Sequence, residues 1–357
     1  MKTAPFSRAA ADYIHRMSAI THLGKCIVPI GGEILFLNIV LNSRHRHSLL
    51  VLCYHGVVPD EVARDPRGYG NVSGISEFSM QMELLAHTKT PVTLSALDKW
   101  LYEGSQLADN SVLVTFDDGY RNNLEHASGI LLRYGIPAVI FPTVNYIGTN
   151  RLLWLTEIYR SILLWPLSSV PLPDGSAIAV SPDNVHQRRL LAEWVREACK
   201  GLSEALAQAY LGSLRETTFP QLNSDEQEIC SFLSWDEISR LRDLGFTIGS
   251  HTMSHSILSH IESDQLRYEL EQSKIEIEKH LDVSSISIAY PNGDLPLDLS
   301  IVEHANYKLG FTTNAGVCTH RTHPLALDRI CIPGKLSRRG YQSRISGLHD
   351  FVKRAIR

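Results

Sequence analysis

The sequence lacks an excess of either charge. It has 34 Lys and Arg against 38 Asp and Glu, which gives a net charge of −4. A protein that binds nucleic acid by neutralising phosphates needs a surplus of positive charge, so this balance argues against a nucleic-acid partner. The 357 residues also contain no internal repeat and no low-complexity tract, which excludes solenoid and fibrous architectures.

Cysteine is scarce and widely spaced. The six cysteines form no CxxC pair, and they lie at positions 26, 53, 199, 230, 318 and 331. A chain of this length can bury a full core without a disulfide framework, and paired CxxC motifs would be needed for a zinc ribbon. We therefore expect ordinary reduced cysteines.

Long hydrophobic runs are missing as well. The first 20 residues are interrupted by charges such as Arg8 and Asp12, so they lack the apolar core of a secretory signal peptide. Residues 26–41 are apolar, but a membrane-spanning helix needs about 20 nearly uninterrupted apolar residues. This stretch is shorter and contains Pro29 and Glu33, so we interpret it as a docking helix or a membrane-surface segment.

The C-terminal residues are basic, and their charges come from Arg338, Arg339, Arg344, Lys353, Arg354 and Arg357. Such a run is most often a solvated helix face. Together with the apolar N-terminal segment, it also fits contact with an anionic membrane surface. We expect a cytoplasmic protein with peripheral membrane contact.

What the chain does have is enough apolar sequence for a large core, because 44% of its residues are hydrophobic and 20% are charged. Ser111–Phe116 (SVLVTF) predicts a buried strand, residues 124–134 a helix and residues 137–141 the next strand. Further strands are predicted at 246–249, 285–289 and 310–313. A strand–helix–strand rhythm of this kind predicts an α/β fold with a parallel sheet.

Residues 150–230 break this rhythm with an apolar start, a Pro-rich turn region and a helical pattern. We interpret them as a largely helical insertion in one barrel-like domain, in preference to a separate second domain. The predicted organisation is an N-terminal helical and apolar segment (1–48), a catalytic domain (49–335) and a basic tail (336–357).

Polar residues follow several of the predicted strands directly. Asp117 and Asp118 follow Ser111–Phe116, and His251 and His255 follow the strand at 246–249. The segment 290–294 follows the strand at 285–289. Since active sites of parallel α/β folds form at the carboxyl ends of the strands, these residues are expected to converge.

His251 and His255 lie four positions apart, a spacing that would place both imidazoles on one face of a helical turn. An isolated pair of this kind is usually structural, and an Asp-Asp-Gly is often an ordinary turn. Two carboxylates at the end of a buried strand, however, need a hydrogen-bonding or cationic partner. Two His and one Asp would bind a metal ion and leave a coordination position for water.

Three motifs together resemble the polysaccharide deacetylases of carbohydrate esterase family four, the chitin-deacetylase-like enzymes. They are TFDDG at 115–119, SHTMSH at 250–255 and YPNGD at 290–294. The resemblance runs from about residue 52 to residue 332 and skips the insertion. LCYHG at 52–56 is similar to the branch that deacetylates poly-N-acetylglucosamine exopolysaccharides. The resemblance implies a distorted (β/α) barrel, a divalent metal cofactor that is usually Zn²⁺, and an N-acetylated carbohydrate substrate.

The resemblance also implies roles for single residues. Asp117 matches the catalytic base, and Asp118, His251 and His255 match the metal ligands. The backbone N–H of Asn292 matches the group that stabilises the oxyanion together with the ion. The rest of that motif is expected to form the substrate and oxyanion region, and it consists of Tyr290, Pro291, Gly293 and Asp294, the last of which also fits a structural turn.

Two departures from the family pattern concern the base and the acid. Ala289 stands where many members have an arginine that orients the base, and Arg329 is our candidate for that charge. The late Leu-x-His of common members is absent, so His55 is the candidate general acid, with a structural role at a strand end as the alternative. Trp154 is a candidate for stacking on a sugar, although tryptophans at helical spacing are usually core residues.

The leading hypothesis is a metal-dependent hydrolase that removes N-acetyl groups from an N-acetylhexosamine polysaccharide or glycoconjugate and releases acetate. One alternative is an amide deacylase that acts on a small N-acylated sugar or another biosynthetic intermediate. Another is a catalytically degenerate barrel that binds carbohydrate. The preserved Asp117 and metal ligands argue against this third reading, because a binding module needs no water-activating ion.

Overall fold

The run SVLVTF forms the central strand of the main sheet, as its sequence predicts. A computed structural model describes residues 7–14, 48–65, 71–181, 183–218 and 221–346. Strand β5 (Ser111–Phe116) is buried along its whole length and is paired in parallel on both sides. The proposed docking segment at 26–41 and the end of the basic tail lie outside the described residues, as does Cys26. Among the described residues, no helix has the length and apolar character needed to cross a membrane.

The larger part of the chain contains parallel strands, most of which form one circuit. Their bounds are β1 (Leu50–Tyr54), β2 (Gly56–Val58), β3 (Val72–Gly74), β4 (Thr90–Pro91), β6 (Ala138–Ile140), β9 (Thr247–Ile248), β10 (Ser287–Ala289), β11 (Leu309–Phe311) and β12 (Ile330–Cys331). The main sheet has the order β12-β1-β5-β6-β9, with β4 on β5. A parallel bridge from Ser250 to Ile288 leads on to β10 and β11, and a second from Phe311 to Leu327 leads back towards β12. The circuit closes as a distorted barrel, which confirms the predicted fold class.

Side chains alternate between the two faces of this barrel wall, as the two-residue period of a strand requires. One set, including Leu52, Val114 and Ile330, belongs to a hydrophobic cluster that also contains side chains of the surrounding helices. The alternate set, including Val51 and Leu113, belongs to a second cluster with residues of β10 and β11. Strands that are buried on both faces therefore position the catalytic candidates.

The described residues also form helices, which pack around the barrel or belong to a smaller, separate unit. They are α1 (Asp60–Ala63), α2 (Ile75–Thr88), α3 (Leu94–Tyr102), α4 (Ser128–Arg133), α5 (Trp154–Leu163), α6 (Val185–Lys200), α7 (Glu204–Arg215), α8 (Ser224–Cys230), α9 (Trp235–Asp243), α10 (Ser263–Leu281), α11 (Ser300–His304) and α12 (Arg338–Ile345). The helix predicted at 124–134 begins as a π-helix at Asn123–Ala127 and continues as α4.

Local signals fix several helix boundaries. Ser234 and Glu237 form a capping box at the start of α9, and Gly245 ends the turn after it with a φ of 94°. On α10, Lys274 and Glu278 form an i,i+4 ion pair with an N–O distance of 3.0 Å. Each of these features depends on residues within about one helical turn.

The chain divides into two compact units. Of the described residues, the smaller one contains 7–14, 65, 152–181, 183–218 and 221–224, and the larger one contains the others, including the barrel. The smaller unit contains α5, α6 and α7 together with an antiparallel hairpin of β7 (Ser169–Pro171) and β8 (Ala177–Ala179). Buried Arg188 donates hydrogen bonds to the carbonyl oxygens of Ile162 and Leu163 at the end of α5.

Candidate active site

The carboxyl ends of four barrel strands carry the predicted functional residues. His55 follows β1, Asp117 and Asp118 follow β5, His251 lies three residues beyond β9, and residues 290–294 follow β10. The backbone N–H of Asp117 donates to the Tyr54 carbonyl oxygen at 3.0 Å, which ties the end of β5 to the end of β1. The parallel arrangement therefore places these side chains at one end of the barrel.

Asp118, His251 and His255 converge on one point. The Nε2 atoms of His251 and His255 lie 3.5 and 3.4 Å from Asp118 Oδ1. One ligand atom from each of the three residues lies within 4.8 Å of the others, and all three residues are buried. His251 Nδ1 lies 2.7 Å from the Ala289 carbonyl oxygen, which can only accept a hydrogen, so Nδ1 carries the proton and Nε2 keeps its lone pair.

The helical-turn interpretation of the histidine pair is wrong. Residues 251–256 form an irregular loop, in which Thr252 and His255 have left-handed φ angles of 67° and 62°. The two imidazoles meet because the backbone folds back on itself, and they do not share a helix face. The i,i+4 spacing alone does not indicate that the backbone folds back in this way.

Glu269 on α10 holds this loop and was missed in the sequence analysis. Its Oε2 accepts hydrogen bonds from the backbone N–H groups of Met253 and Ser254 at 2.8 and 2.9 Å, and its side chain is fully buried. A signal was present, because Glu269 lies in the apolar stripe of α10 beside Leu266 and Leu270. A carboxylate at a core position of a helix needs buried donors.

Asp117 is paired with Arg329. The guanidinium Nη1 and Nη2 donate to Asp117 Oδ1 and Oδ2 at 2.7 and 2.8 Å, and Arg329 is fully buried. The same guanidinium donates to the Thr115 hydroxyl at 3.1 Å and to the Thr312 carbonyl oxygen at 2.8 Å. Arg329 thus supplies the orienting charge that position 289 lacks.

Both carboxylates are ionised in this setting. Burial disfavours the charged form of Asp117, but the positive charge of Arg329 outweighs burial and lowers the pKa. Burial acts in the same way on Asp118, where the adjacent imidazoles of His251 and His255 bring the pKa well below its ordinary value. Both side chains are therefore anions at neutral pH, able to accept a proton or to bind a cation.

His55 and Cys53 lie beside Asp117. Ligand atoms of the three residues are within 4.8 Å of one another, and Cys53 Sγ lies 3.4 Å from Asp117 Oδ2. The Asn123 side-chain amide donates to the His55 carbonyl oxygen at 2.7 Å. Because the segment after β1 is held by an asparagine that follows β5, the imidazole of His55 is kept close to the base.

The segment 290–294 is a tight turn beside β11. Asn292 has a left-handed φ of 60°, and its side-chain amide donates to Asp294 Oδ2 at 2.6 Å. A Cβ on Gly293 would lie 2.0 Å from Thr313 Oγ1, so this position requires glycine. Pro291 is buried. The hydroxyl of fully buried Tyr290 donates to the Leu325 carbonyl oxygen, which argues against substrate contact by that side chain.

Trp154 belongs to the smaller unit. It is the first residue of α5, and its side chain is 9% exposed. Its role in stacking on a sugar stays a prediction.

The donor set of Asp118, His251 and His255 fits a divalent metal ion. Two imidazole nitrogens and one carboxylate oxygen are ligands that zinc and similar ions accept, and three protein ligands leave a position for water. The fixed tautomer of His251 presents Nε2 as a ligand, and Asp118 Oδ1 lacks a hydrogen-bond donor among the described residues once both imidazoles present lone pairs.

Comparison with known proteins identifies the family. Residues 104–312, more than half of the chain, match the polysaccharide deacetylase family. The chain belongs to that family. It is accordingly a carbohydrate N-deacetylase, a hydrolase of linear amide C–N bonds, and its substrate is an N-acetylated carbohydrate.

Relatives and solved structures agree with this assignment. The chain is 22% identical over 306 residues to YxkH of Bacillus subtilis (strain 168), which bears the name of a polysaccharide deacetylase, and the match covers 84% of this chain and 77% of that protein. The deacetylase PplD of Streptococcus pyogenes, solved in complex with acetate, is similar with a TM-score of 0.55 and 19% identity, over 84% of this chain and 99% of PplD. IcaB from Ammonifex degensii has a TM-score of 0.53 and 18% identity, over 84% of this chain and 96% of IcaB. At these identities the solved structures establish the fold.

Proposed function

We propose that the chain is a metal-dependent deacetylase of N-acetylhexosamine units in a polysaccharide or glycoconjugate, and that it releases acetate. The observation that carries this proposal is the convergence of Asp118, His251 and His255 on one point, directly beside the ion-paired carboxylate of Asp117. A divalent ion bound by the three ligands supplies a water of lowered pKa and polarises the amide carbonyl, chemistry for which zinc is well suited.

Asp117 acts as the base in this proposal. Arg329 holds both of its oxygens, yet Oδ1 accepts from one donor only and retains a second lone pair for the proton of the attacking water. Since Asp117 and Asp118 are adjacent in sequence, a water near the ligands is also near the base. The fixed carboxylate thus accepts the proton without a conformational change.

His55 acts as the acid that protonates the leaving nitrogen. Collapse of the tetrahedral intermediate expels an amine, which is a poor leaving group unless it is protonated. His55 lies beside Asp117, so the two residues can accept and donate protons at the same reacting centre. The backbone N–H of Asn292, in the turn after β10, is our candidate for stabilising the oxyanion.

The first test separates the base from the metal ligands. Asp117→Asn should lower kcat by about 10²–10⁴-fold and leave one bound metal ion per chain, because the amide keeps the shape of the carboxylate and loses its basicity. His251→Ala should lose the ion. Wild-type turnover in Asp117→Asn would contradict the assigned mechanism. A metal content in His251→Ala equal to that of the wild type, measured by elemental analysis, would contradict the ligand assignment.

The second test concerns the acid and the substrate. His55→Ala should lower kcat with the metal content unchanged, and a wild-type rate would place the acid elsewhere. A panel of monomeric, lipid-linked and oligomeric N-acetylhexosamines, assayed for released acetate, separates a polymer or glycoconjugate deacetylase from an enzyme of small biosynthetic intermediates. Activity confined to monomers would favour the second.

A further inference from the structure

A second group of potential metal ligands lies beside the base. One ligand atom each from Cys53, His55 and Asp117 lies within 4.8 Å of the others. Cys53 Sγ is 3.4 Å from Asp117 Oδ2, and His55 Nδ1 is buried without a hydrogen-bond partner among the described residues. None of these three atoms belongs to the group formed by Asp118, His251 and His255. The mechanism proposed above gives no role to the thiol.

A candidate for a fourth ligand lies on the neighbouring strand. Cys331 on β12 is the registered partner of Cys53 on β1, and side chains of registered partners in a parallel pair lie on the same face of the sheet. Cys331 is partly exposed, whereas Cys53 is fully buried, so the pair extends from the base towards the surface.

We propose that Cys53, His55 and Asp117, with Cys331 as the fourth ligand, bind a second, thiophilic divalent ion such as Zn²⁺ or Cd²⁺. Two sulfurs, one imidazole nitrogen and one carboxylate oxygen are a donor set that favours these borderline-soft ions over Mg²⁺ or Ca²⁺. Binding displaces the two thiol protons to solvent. Two thiolates and the Asp117 carboxylate then balance the charge of Arg329 and of one divalent ion.

This second site is inhibitory, a consequence that rests on the proposed function. An ion bound to Asp117 occupies the lone pair that accepts the proton of water, and an ion bound to His55 removes the proton donor. Activity should therefore rise with the first equivalent of Zn²⁺ and fall again when the second site fills. The enzyme would require zinc at low concentration and be blocked by it at high concentration.

The binding test uses Co²⁺, because thiolate-to-cobalt charge transfer gives an ultraviolet absorption that imidazole and carboxylate ligands do not produce. Metal-free full-length protein should bind two equivalents, and the charge-transfer band should appear with one of them. The band should be lost in Cys53→Ser and kept in Cys199→Ser, a matched control in which a buried cysteine of α6 is replaced. A wild-type protein without the band, or a band unchanged in Cys53→Ser, would overturn the proposal.

His251→Ala separates this inference from the proposed function. This variant should keep the thiolate band and lose the other equivalent of metal. Wild-type protein that binds one ion without a thiolate band would leave the deacetylase mechanism intact and refute the second site. Should Cys53→Ser fail to fold by circular dichroism, the partly exposed Cys331→Ala provides the second variant, and it should weaken the band-forming equivalent at least 10-fold.

The inhibition test compares each variant with its own maximal rate. For wild-type enzyme and Cys199→Ser, the deacetylation rate should pass through a maximum as Zn²⁺ increases. In Cys53→Ser, the concentration that halves the maximal rate should be at least 10-fold higher, because zinc–thiolate bonds are lost. Equal inhibition of Cys53→Ser and wild type would refute the inhibitory role.

Discussion

The pair of Asp117 and Arg329 shows what one residue can contribute from a distant part of the chain. Their side chains are 4% and 0% exposed, so neither charge is solvated. Removing one partner of such a pair leaves an uncompensated buried charge, which typically destabilises a protein by about 3–5 kcal/mol. We therefore expect Arg329 both to position the proposed base and to stabilise the barrel interior.

Replacing Arg329 should change how the rate depends on pH. The base must be ionised, so activity falls when the pH drops through the pKa of Asp117, which Arg329 keeps low. In Arg329→Gln, burial is no longer outweighed and the pKa rises, so the acid limb of kcat/KM should move to higher pH. We expect the variant to be inactive at a pH where the wild type still works, as measured by pH-rate profiles.

Exposed Arg338 provides the matched control for that measurement. Arg338→Gln should keep the wild-type profile. An Arg329→Gln enzyme whose rate falls equally at every pH would show that the arginine orients Asp117 without setting its charge.

The thiols of Cys331 and Cys199 should react with alkylating agents at very different rates. A hydrogen bond from Cys53, helped by the charge of Arg329, lowers the pKa of Cys331 to about 6, whereas burial raises the pKa of Cys199 to about 12. Since the thiolate is the nucleophile, metal-free protein at pH 7 should be alkylated by iodoacetamide at Cys331 first. Peptide mass spectrometry over time measures this order, and equal rates at both sites would contradict it.

At the scale of elements, the loop after β9 depends on one residue of α10. Glu269 accepts hydrogen bonds from two loop N–H groups, and the loop carries His255 at a left-handed φ. The loop sequence does not by itself prefer this shape, because Thr252 and His255 are not glycines. The helix therefore stabilises a backbone that holds the second histidine ligand.

Glu269→Ala should weaken metal binding by about 10–100-fold, the effect typical of losing a group that orients a ligand. The metal affinity of Glu269→Gln should lie between those of Glu269→Ala and the wild type. Its single amide oxygen cannot replace both carboxylate oxygens, because the carboxylate also accepts from the Ser254 hydroxyl. Isothermal titration with Zn²⁺ measures the affinities. Exposed Glu271 on the same helix is the control, and a Glu271→Ala effect as large as that of Glu269→Ala would point to a general loss of helix stability.

Sequence reasoning worked where the signal was local. The strand at 111–116 and the placement of polar residues at strand ends depend on short-range patterns. The Arg329–Asp117 pair could only be offered as a candidate, because it depends on the register of β12 against β1. The histidine loop was misread as helical, since its shape is set by Glu269 from another element.

At the scale of the whole molecule, metal binding should raise the free energy of unfolding. An ion that binds the folded chain and not the unfolded one adds about 2.7 kcal/mol when its free concentration is 100 times the dissociation constant. Chelation of the metal should therefore lower the Tm by several degrees, and Zn²⁺ should restore it. His251→Ala should unfold at a Tm that depends much less on chelation, which differential scanning calorimetry can measure.

The closure of the barrel has a consequence for synthesis of the protein. Asp117 and the arginine that neutralises it are 212 positions apart, and β12 joins the sheet next to β1. While the chain is still on the ribosome, the base is made long before its counter-charge, and the gap beside β1 stays open. Catalytic competence should thus appear abruptly once β12 has been made, so that chains without this strand are inert.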